Sequence, residues 1–419
     1  MTSYEILRER FAPVFERIAA GAWDRDRERV LPHEPIAELN AAGFGALRVP
    51  TARGGYGVSV QTQMRLLIDL AAADSNIAHQ YRSHFGFVET LPWQSEAVRE
   101  RWYPRVAAGQ SVGNASTERG GNALGTLNTT LKPAGPQWTL TGSKFYCTGT
   151  IFADYTRVSA QVMGADGEPT AERYFAVVPV NGPGVQVYDD WDGFGQRLTG
   201  TGTTEFDGVA VDPLDVLPRV RGTAEAVHEA AFFQLVLLAV QAGIARNARD
   251  DAAALVARRS RTFNTGSGKP FREEDLIQAE VGKIAAKAFA AEATVLAAAR
   301  AIDAAWDHYA ADGFSQEPGR VPAEAHTAEL AVEAAHVEVP ELVLAAAQAL
   351  FQTVGASATS TSKGLDRHWR NAQTVATHNP IAFRARSLGD FHINGTTPVG
   401  LNAIGEATSS SAVTPSATA

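Results

Sequence analysis

Histidine is the side chain best suited to move protons near neutral pH, and two stretches of this sequence offer it in company that could do chemistry. In HQYRSHFGF, Tyr81 and His84 stand three residues apart, which puts both on one face of a helix. A core histidine with satisfied ring nitrogens is the other reading of His84, and His79 ranks below it. The second stretch, RNAQTVATHNPIAFR from Arg370 to Arg384, holds His378, and no acidic residue lies between Asp366 and Asp390. Asn114, Ser116, Thr117 and Thr148 supply short amide and hydroxyl groups at two strand ends, although such residues also favour turns for their own sake. Paired hydrogen bonds from a guanidinium suit phosphate, and Arg370 is a candidate, while Arg258, Arg259 and Arg261 read by themselves as a solvated charge cluster. No Cys or His group has metal-ligand spacing and no Walker or Rossmann glycine pattern occurs, so neither a metal enzyme nor a nucleoside-triphosphate enzyme is expected.

The elements that must position these groups fall into three zones. From Ser3 to about Gly109 apolar residues recur at helical spacing. From about Gln110 to Pro218 short alternating runs are separated by Gly and Pro, as in a sheet. Strands are expected at Trp138–Leu140 and Phe145–Cys147 around a tight turn at Gly142-Ser143, then at Tyr174–Val180, Gly184–Tyr188 and Thr203–Val211. Beyond Val220 the chain is alanine-rich with 3.6-residue periodicity, for example Ile277, Val281, Ile284 and Ala288, and is punctuated by Pro340 and Gly355, which suggests a helix bundle. The division is therefore 1–110 helical, 111–218 sheet, 219–405 helical bundle and 406–419 a Ser/Thr/Ala tail with too little apolar surface to order itself.

Composition narrows the function. The 419 residues are 45% hydrophobic and 20% charged with a net charge of −9, which fits a soluble globular chain and argues against nucleic acid or an anionic membrane as partner. The most apolar run, Ala230 to Ala245, is interrupted by Gln234 and Gln241 and reads as a buried helix. A lone cysteine, Cys147, excludes an intrachain disulfide and fits a reducing cytoplasm. Its side chain reads as a small buried filler.

The α+β order of helices, sheet and helices resembles the acyl-CoA dehydrogenase superfamily, and local patterns agree. ELNAAGFGALRVPTARGGYG (Glu38 to Gly57), RWYPRVAAGQSVGNASTERGG (Arg101 to Gly121), WTLTGSKFYCTG (Trp138 to Gly149) and the segment Gly193 to Leu217 are similar to the family's segments in the family's order. The resemblance implies an N-terminal helical domain, a central β domain and a C-terminal bundle, with a flavin whose polar edge meets Asn114, Ser116, Thr117, Thr148 and the backbone at Cys147. It also implies a homotetramer in which an arginine near Arg259 or Arg261 meets a neighbour's cofactor phosphate.

Two departures shift the expected activity. Where many members carry a glutamate base before Gly-Thr, this chain has His378 before Asn379-Pro380; where FAD-dependent members have Gly-Gly-x-Gly after a glutamine, it has Gly355, Ala356, Ser357, Ala358 after Gln352, which would crowd an adenosine half. DRHWRNAQTVATHNP (Asp366 to Pro380) is similar to the Arg-x-x-Arg and His-Asp-Pro signature of the dibenzothiophene monooxygenase group, with Asn379 in place of Asp. That group implies reduced FMN from a separate reductase, dioxygen, a flavin C4a-hydroperoxide, and a small organosulfur, aromatic or amine substrate, with His378 as the principal catalytic group and His84 and Tyr81 as further candidates. An FAD-dependent dehydrogenase with a displaced base such as Glu229, and a flavin-binding assembly subunit without catalysis, are the competing expectations.

Overall fold

The computed structural model describes residues 3–120 and 127–398. Gly121 and the tail 406–419 lie outside them. Five helices come first: α1 (Tyr4–Glu28), α2 (His33–Ala41), α3 (Val60–Ala73), α4 (Ser75–Thr90) and α5 (Glu96–Ala107). Four of them begin where a short polar residue caps the free N–H groups of the first turn. Ser3, Ser59, Asp74 and Ser95 accept from the amides of Ile6, Thr62, Asn76 and Val98 respectively.

Eight strands follow: β1 (Val112–Ala115), β2 (Thr130–Ala134), β3 (Gln137–Lys144), β4 (Tyr155–Met163), β5 (Pro169–Pro179), β6 (Val185–Val187), β7 (Thr204–Val211) and β8 (Val216–Pro218). They form one mixed sheet ordered β6-β7-β3-β2-β4-β5-β8, with β1 parallel to the first half of β4. Strands stand where alternation suggested them over Tyr174–Val180, Gly184–Tyr188 and Thr203–Val211. The turn at Gly142-Ser143 does not. β3 runs straight through these residues, and its pairing with β7 shifts register between Leu140 and Gly142. Gly142 has φ +151°, and a Cβ there would lie 2.5 Å from the Thr129 Cα, so the glycine serves a bulge and a close approach. The hairpin turn lies one step earlier, at Gly135-Pro136, between the paired Ala134 and Gln137.

The second helical block comprises α6 (Ala224–Arg258), α7 (Asp275–Ala311), α8 (Ala323–Val354), α9 (Asp366–Ala376) and α10 (Ile381–Asn394). The fold is the expected α+β arrangement of helices, sheet and helices. α6 is apolar on nearly every side because α3, α4, α7 and α8 surround it. By length and composition it could cross a bilayer, yet 89% of its apolar window is buried inside the bundle. Ile277, Ile284 and Ala288 are buried on α7, as their spacing suggests. Pro340 does not interrupt α8, which continues through it to Val354; the ring removes only the bond to the His336 carbonyl four residues back. A buried ion pair ties the two blocks together. Arg48 donates to Glu89 Oε1 at 2.6 Å, Glu89 is 3.0 Å from His228 Nε2 on α6, and the Arg48 guanidinium lies 4.3 Å from the Trp306 ring centre on α7.

Candidate active site

Helix α4 lies between the sheet and α6, so its side chains reach both. His79, Arg82 and Ser83 share its α6- and loop-facing side, while His84 points to the start of the sheet. The His84 ring is fully used: Nε2 is 3.0 Å from the Gly45 carbonyl, and Nδ1 accepts the Val112 amide at 3.2 Å. That pattern requires a neutral ring with its proton on Nε2, leaving neither a proton nor a lone pair for a substrate. Tyr81 is likewise buried, its hydroxyl donating to Asn40 Oδ1 at 2.7 Å. Both residues thus position β1 and α2, which corrects the expectation that they face a ligand.

His79, ranked lowest on α4, is the one that keeps a ring nitrogen without a partner. Its Nδ1 meets Gln196 Oε1 at 3.2 Å, and Gln196 Nε2 donates to Ser75 Oγ at 3.1 Å. Since the amide oxygen faces the ring, Nδ1 carries the proton. Nε2 is then a bare lone pair, buried and without a partner. Burial, aided by the Arg82 charge, lowers its pKa to about 4, so the ring is neutral at physiological pH. Its ring centre is 6.3 Å from that of His378.

His378 sits in the turn between α9 and α10. The residue is exposed, with His79 close by. Asn379 Nδ2 is 3.1 Å from His378 Nδ1 and 2.7 Å from Gln234 Oε1 on α6. An amide donor on Nδ1 places the imidazole proton on Nε2. Desolvation, followed by the Arg82 charge, holds its pKa well below the ordinary histidine value. A neutral donor, His378 Nε2–H, therefore stands near a neutral acceptor, His79 Nε2.

The sheet-end groups come together beside α4. Ser83 Oγ donates to the Thr148 carbonyl at 3.3 Å, and Phe145 N–H donates to the Thr117 carbonyl at 2.7 Å. Ser116 Oγ donates to Asn114 Oδ1 at 2.9 Å, leaving the Asn114 amide protons as donors. A chain of hydroxyls fixes the polarity of Thr148. Thr199 donates to the Gln196 carbonyl at 2.9 Å, so it accepts from Thr201 at 2.6 Å, and Thr201 accepts from Thr148 at 3.0 Å. Thr148 Oγ1 consequently offers only lone pairs. A reduced isoalloxazine presents ring N–H groups and carbonyls along one edge, and an acceptor at Thr148 beside donors at Asn114 is a donor set that fits it. Cys147 contributes no side-chain chemistry, since burial pushes its thiol up to about 12.

The arginines do not join this group. Arg370 donates from Nη2 to Asp26 at 2.7 Å, from Nε to Asp366 at 2.7 Å and from Nη1 to the Phe194 carbonyl at 3.0 Å. It clamps α9 to α1 and to the 190s loop, and its fork is spent, which corrects its reading as a phosphate ligand. Arg259 is also engaged within its own chain, with the Val354 and Arg261 carbonyls and beside the rings of Phe263 and Phe271. Arg258 donates to the Ala254 carbonyl, and Arg261 is exposed. Glu229 is held by Arg157. Burial pushes its pKa up, but the Arg157 and Arg219 charges outweigh this and leave it below the ordinary value, so it is a paired anion and not a poised base.

The chain matches the N-terminal domain of acyl-CoA dehydrogenase over residues 4–110 and the C-terminal domain over residues 235–383. It is 28% identical to a dibenzothiophene monooxygenase of Mycolicibacterium goodii, covering 90% of this chain and 91% of that one. It is 26% identical to a probable FMNH2-dependent monooxygenase, SfnC, of Pseudomonas putida, covering 91% and 93%. The crystal structure of FMN-bound TdsC from Paenibacillus sp. A11-2 superposes with a TM-score of 0.84 at 26% identity, over 94% of this chain and 98% of that one. Taken with the helix, sheet and bundle order, these matches show that the chain belongs to the acyl-CoA dehydrogenase family, in the branch of its dibenzothiophene monooxygenase relatives.

Proposed function

We propose that this protein is an FMNH2-dependent monooxygenase that places one oxygen atom of dioxygen on a small substrate bearing a soft nucleophile, an organosulfur group foremost. The observation that carries this reading is the neighbouring neutral donor and acceptor of His378 and His79, with the carboxylate of Glu229 locked to Arg157. Abstraction of a proton next to a thioester needs a free base; oxygen transfer to sulfur needs a proton donor for the departing oxygen and a dry pocket. FMN, when bound in reduced form, supplies the electrons that activate dioxygen. Asn114 and Thr148 would hold its polar edge, His378 Nε2–H would donate to the second oxygen as it leaves towards water, and His79 Nε2 would accept a hydrogen bond that orients the substrate. The reduced flavin comes from a separate reductase. Mixing the protein with chemically reduced FMN, oxygen and dibenzothiophene or methyl phenyl sulfide should give the sulfoxide; hydrogen peroxide as the sole product across a sulfide and amine panel would overturn the reading.

Cofactor choice turns on Gly355 to Ala358. Ala358 is buried in the chain's own core, whereas Ala356 is exposed, so the crowding of an approaching adenosine half falls to Ala356 alone. Reduced FMN should bind more tightly than reduced FAD in an anaerobic titration, and Ala356→Gly should narrow the difference. Tighter binding of FAD would reverse the assignment.

The site is completed by self-association in this reading, as a homotetramer in the cytoplasm. α8 leaves much of its apolar window uncovered, only 39% of it being buried, and Leu276, Phe289, Phe383 and Ile393 are exposed on α7 and α10. Large apolar side chains left exposed in this number are what an interface would cover. Sedimentation at micromolar concentration should show a tetramer, and a monomer there would count against it.

A further inference from the structure

One cation near His378, Arg82, makes no direct ion pair among the described residues. Arg82 stands one helical turn after His79, and its Nε donates to the Phe233 carbonyl at 3.0 Å while its guanidinium lies 4.5 Å from the Phe233 ring centre. The next residue of α6, Gln234, is the one that holds Asn379 beside His378. Consecutive residues of α6 thus bring Arg82 and His378 to the same short stretch of wall. Among the described residues neither Nη group of Arg82 has a hydrogen-bond partner, and the side chain is only partly covered. Its near carboxylate, Glu229, bonds Arg157, and His79 and His378 are neutral. Burial lowers the Arg82 pKa to about 10, which still leaves it protonated at physiological pH. A half-enclosed guanidinium with an open fork is costly unless something anionic meets it.

We infer that Arg82 binds an anionic group of the substrate, a carboxylate or sulfinate, through its open Nη fork and so presents the adjoining nucleophilic atom to His378. The inference rests on the proposed monooxygenase reading for its chemistry, but the binding event is independent of turnover. Two oxygens on one planar or pyramidal centre match the spacing of two parallel N–H donors. A neutral group there would leave the charge unanswered, so anionic substrates are selected over neutral ones of the same shape.

The test is calorimetric titration of the FMN-saturated protein with benzoate and benzenesulfinate, each against the neutral isostere nitrobenzene. The wild type should bind the anions about tenfold or more tightly than nitrobenzene, the range expected for a charge-assisted hydrogen-bonded pair. Arg82→Gln should erase that preference without changing nitrobenzene or FMN affinity, and Arg82→Lys should keep part of it; thermal melts confirm that both variants fold. Equal binding of anion and isostere by the wild type, including no binding of either, overturns the inference, as does a preference that survives Arg82→Gln. A loss of FMN affinity in Arg82→Gln would overturn it too, assigning the guanidinium to the cofactor phosphate. Should the monooxygenase reading fail, oxygenated product would be absent from every substrate while the anion preference remained in the titration.

Discussion

His378→Ala is expected to bind reduced FMN and consume oxygen as the wild type does, while oxygenated product falls on the order of 100-fold or more and hydrogen peroxide replaces it. Asn379 fixes the His378 proton on Nε2, and removal of that donor leaves the departing oxygen without its proton at the moment of transfer. The effect should be on product per oxygen consumed and not on flavin affinity, because no described contact joins His378 to Asn114, Ser116 or Thr148. His79→Phe should impair coupling less, since it removes an acceptor and keeps the donor. Parallel measurement of oxygen uptake, peroxide and product decides the matter. Wild-type coupling in His378→Ala would remove it from the mechanism and leave His79, not His84, as the next candidate.

Stability should fall by several kcal/mol as the pH drops from about 6.5 towards 4, before most carboxylates titrate. His79, His84 and His336 are each held neutral by burial, with folded pKa values of about 4 against 6.5 unperturbed. Above 6.5 neither folded nor unfolded chain protonates them, and stability is unaffected. Below it the unfolded chain takes up protons that the folded chain refuses, so stability is lost as pH falls towards the folded value. Each such group contributes a slope of up to about 1.4 kcal/mol per pH unit. Glu225 works in the opposite sense, because burial raises its carboxyl to about 7 and the folded chain then binds the extra proton. It cancels about one histidine, leaving a net slope of about 3 kcal/mol per unit, large beside a total stability of about 5–15 kcal/mol. Urea midpoints taken from pH 7.5 to 4.5 should decline steeply below 6.5. A flat profile would mean that these rings are charged in the folded state, contrary to the neutral tautomers on which the site depends.

The three-zone order, the outer strands and the amphipathic face of α7 were legible because they rest on local periodicity. The bulge at Gly142 was not. A glycine beside a serine reads as a turn, and only the proximity of Thr129 shows that the same glycine permits close packing. The candidacy of His378 came from the missing carboxylate around it, whereas the exchange of His84 for His79 depended on partners far along the chain: Gly45 and Val112 for one, Gln196 for the other. Arg370 failed for the same reason, since Asp26, which engages it, lies 344 residues away in sequence. Arg82 carries no local mark at all, because what distinguishes it is the lack of a partner, and only the packed structure reveals that.

Gln196 adopts φ +48°, a conformation that costs a residue with a Cβ. From that one position its side chain sets the tautomer of His79, its carbonyl terminates the hydroxyl chain that begins at Thr148, and its amide grips Asn371 of α9. The hydroxyl chain of Thr148, the His79 ring and the bundle are therefore linked through a single side chain and its peptide groups. Substitutions on the two walls of the cleft should then show strong epistasis, with double-mutant effects departing from the sum of the singles. For a lineage exploring new substrates, the permissive order of mutations is constrained: changes to the Gln196 turn must be accompanied by compensating changes on both sides.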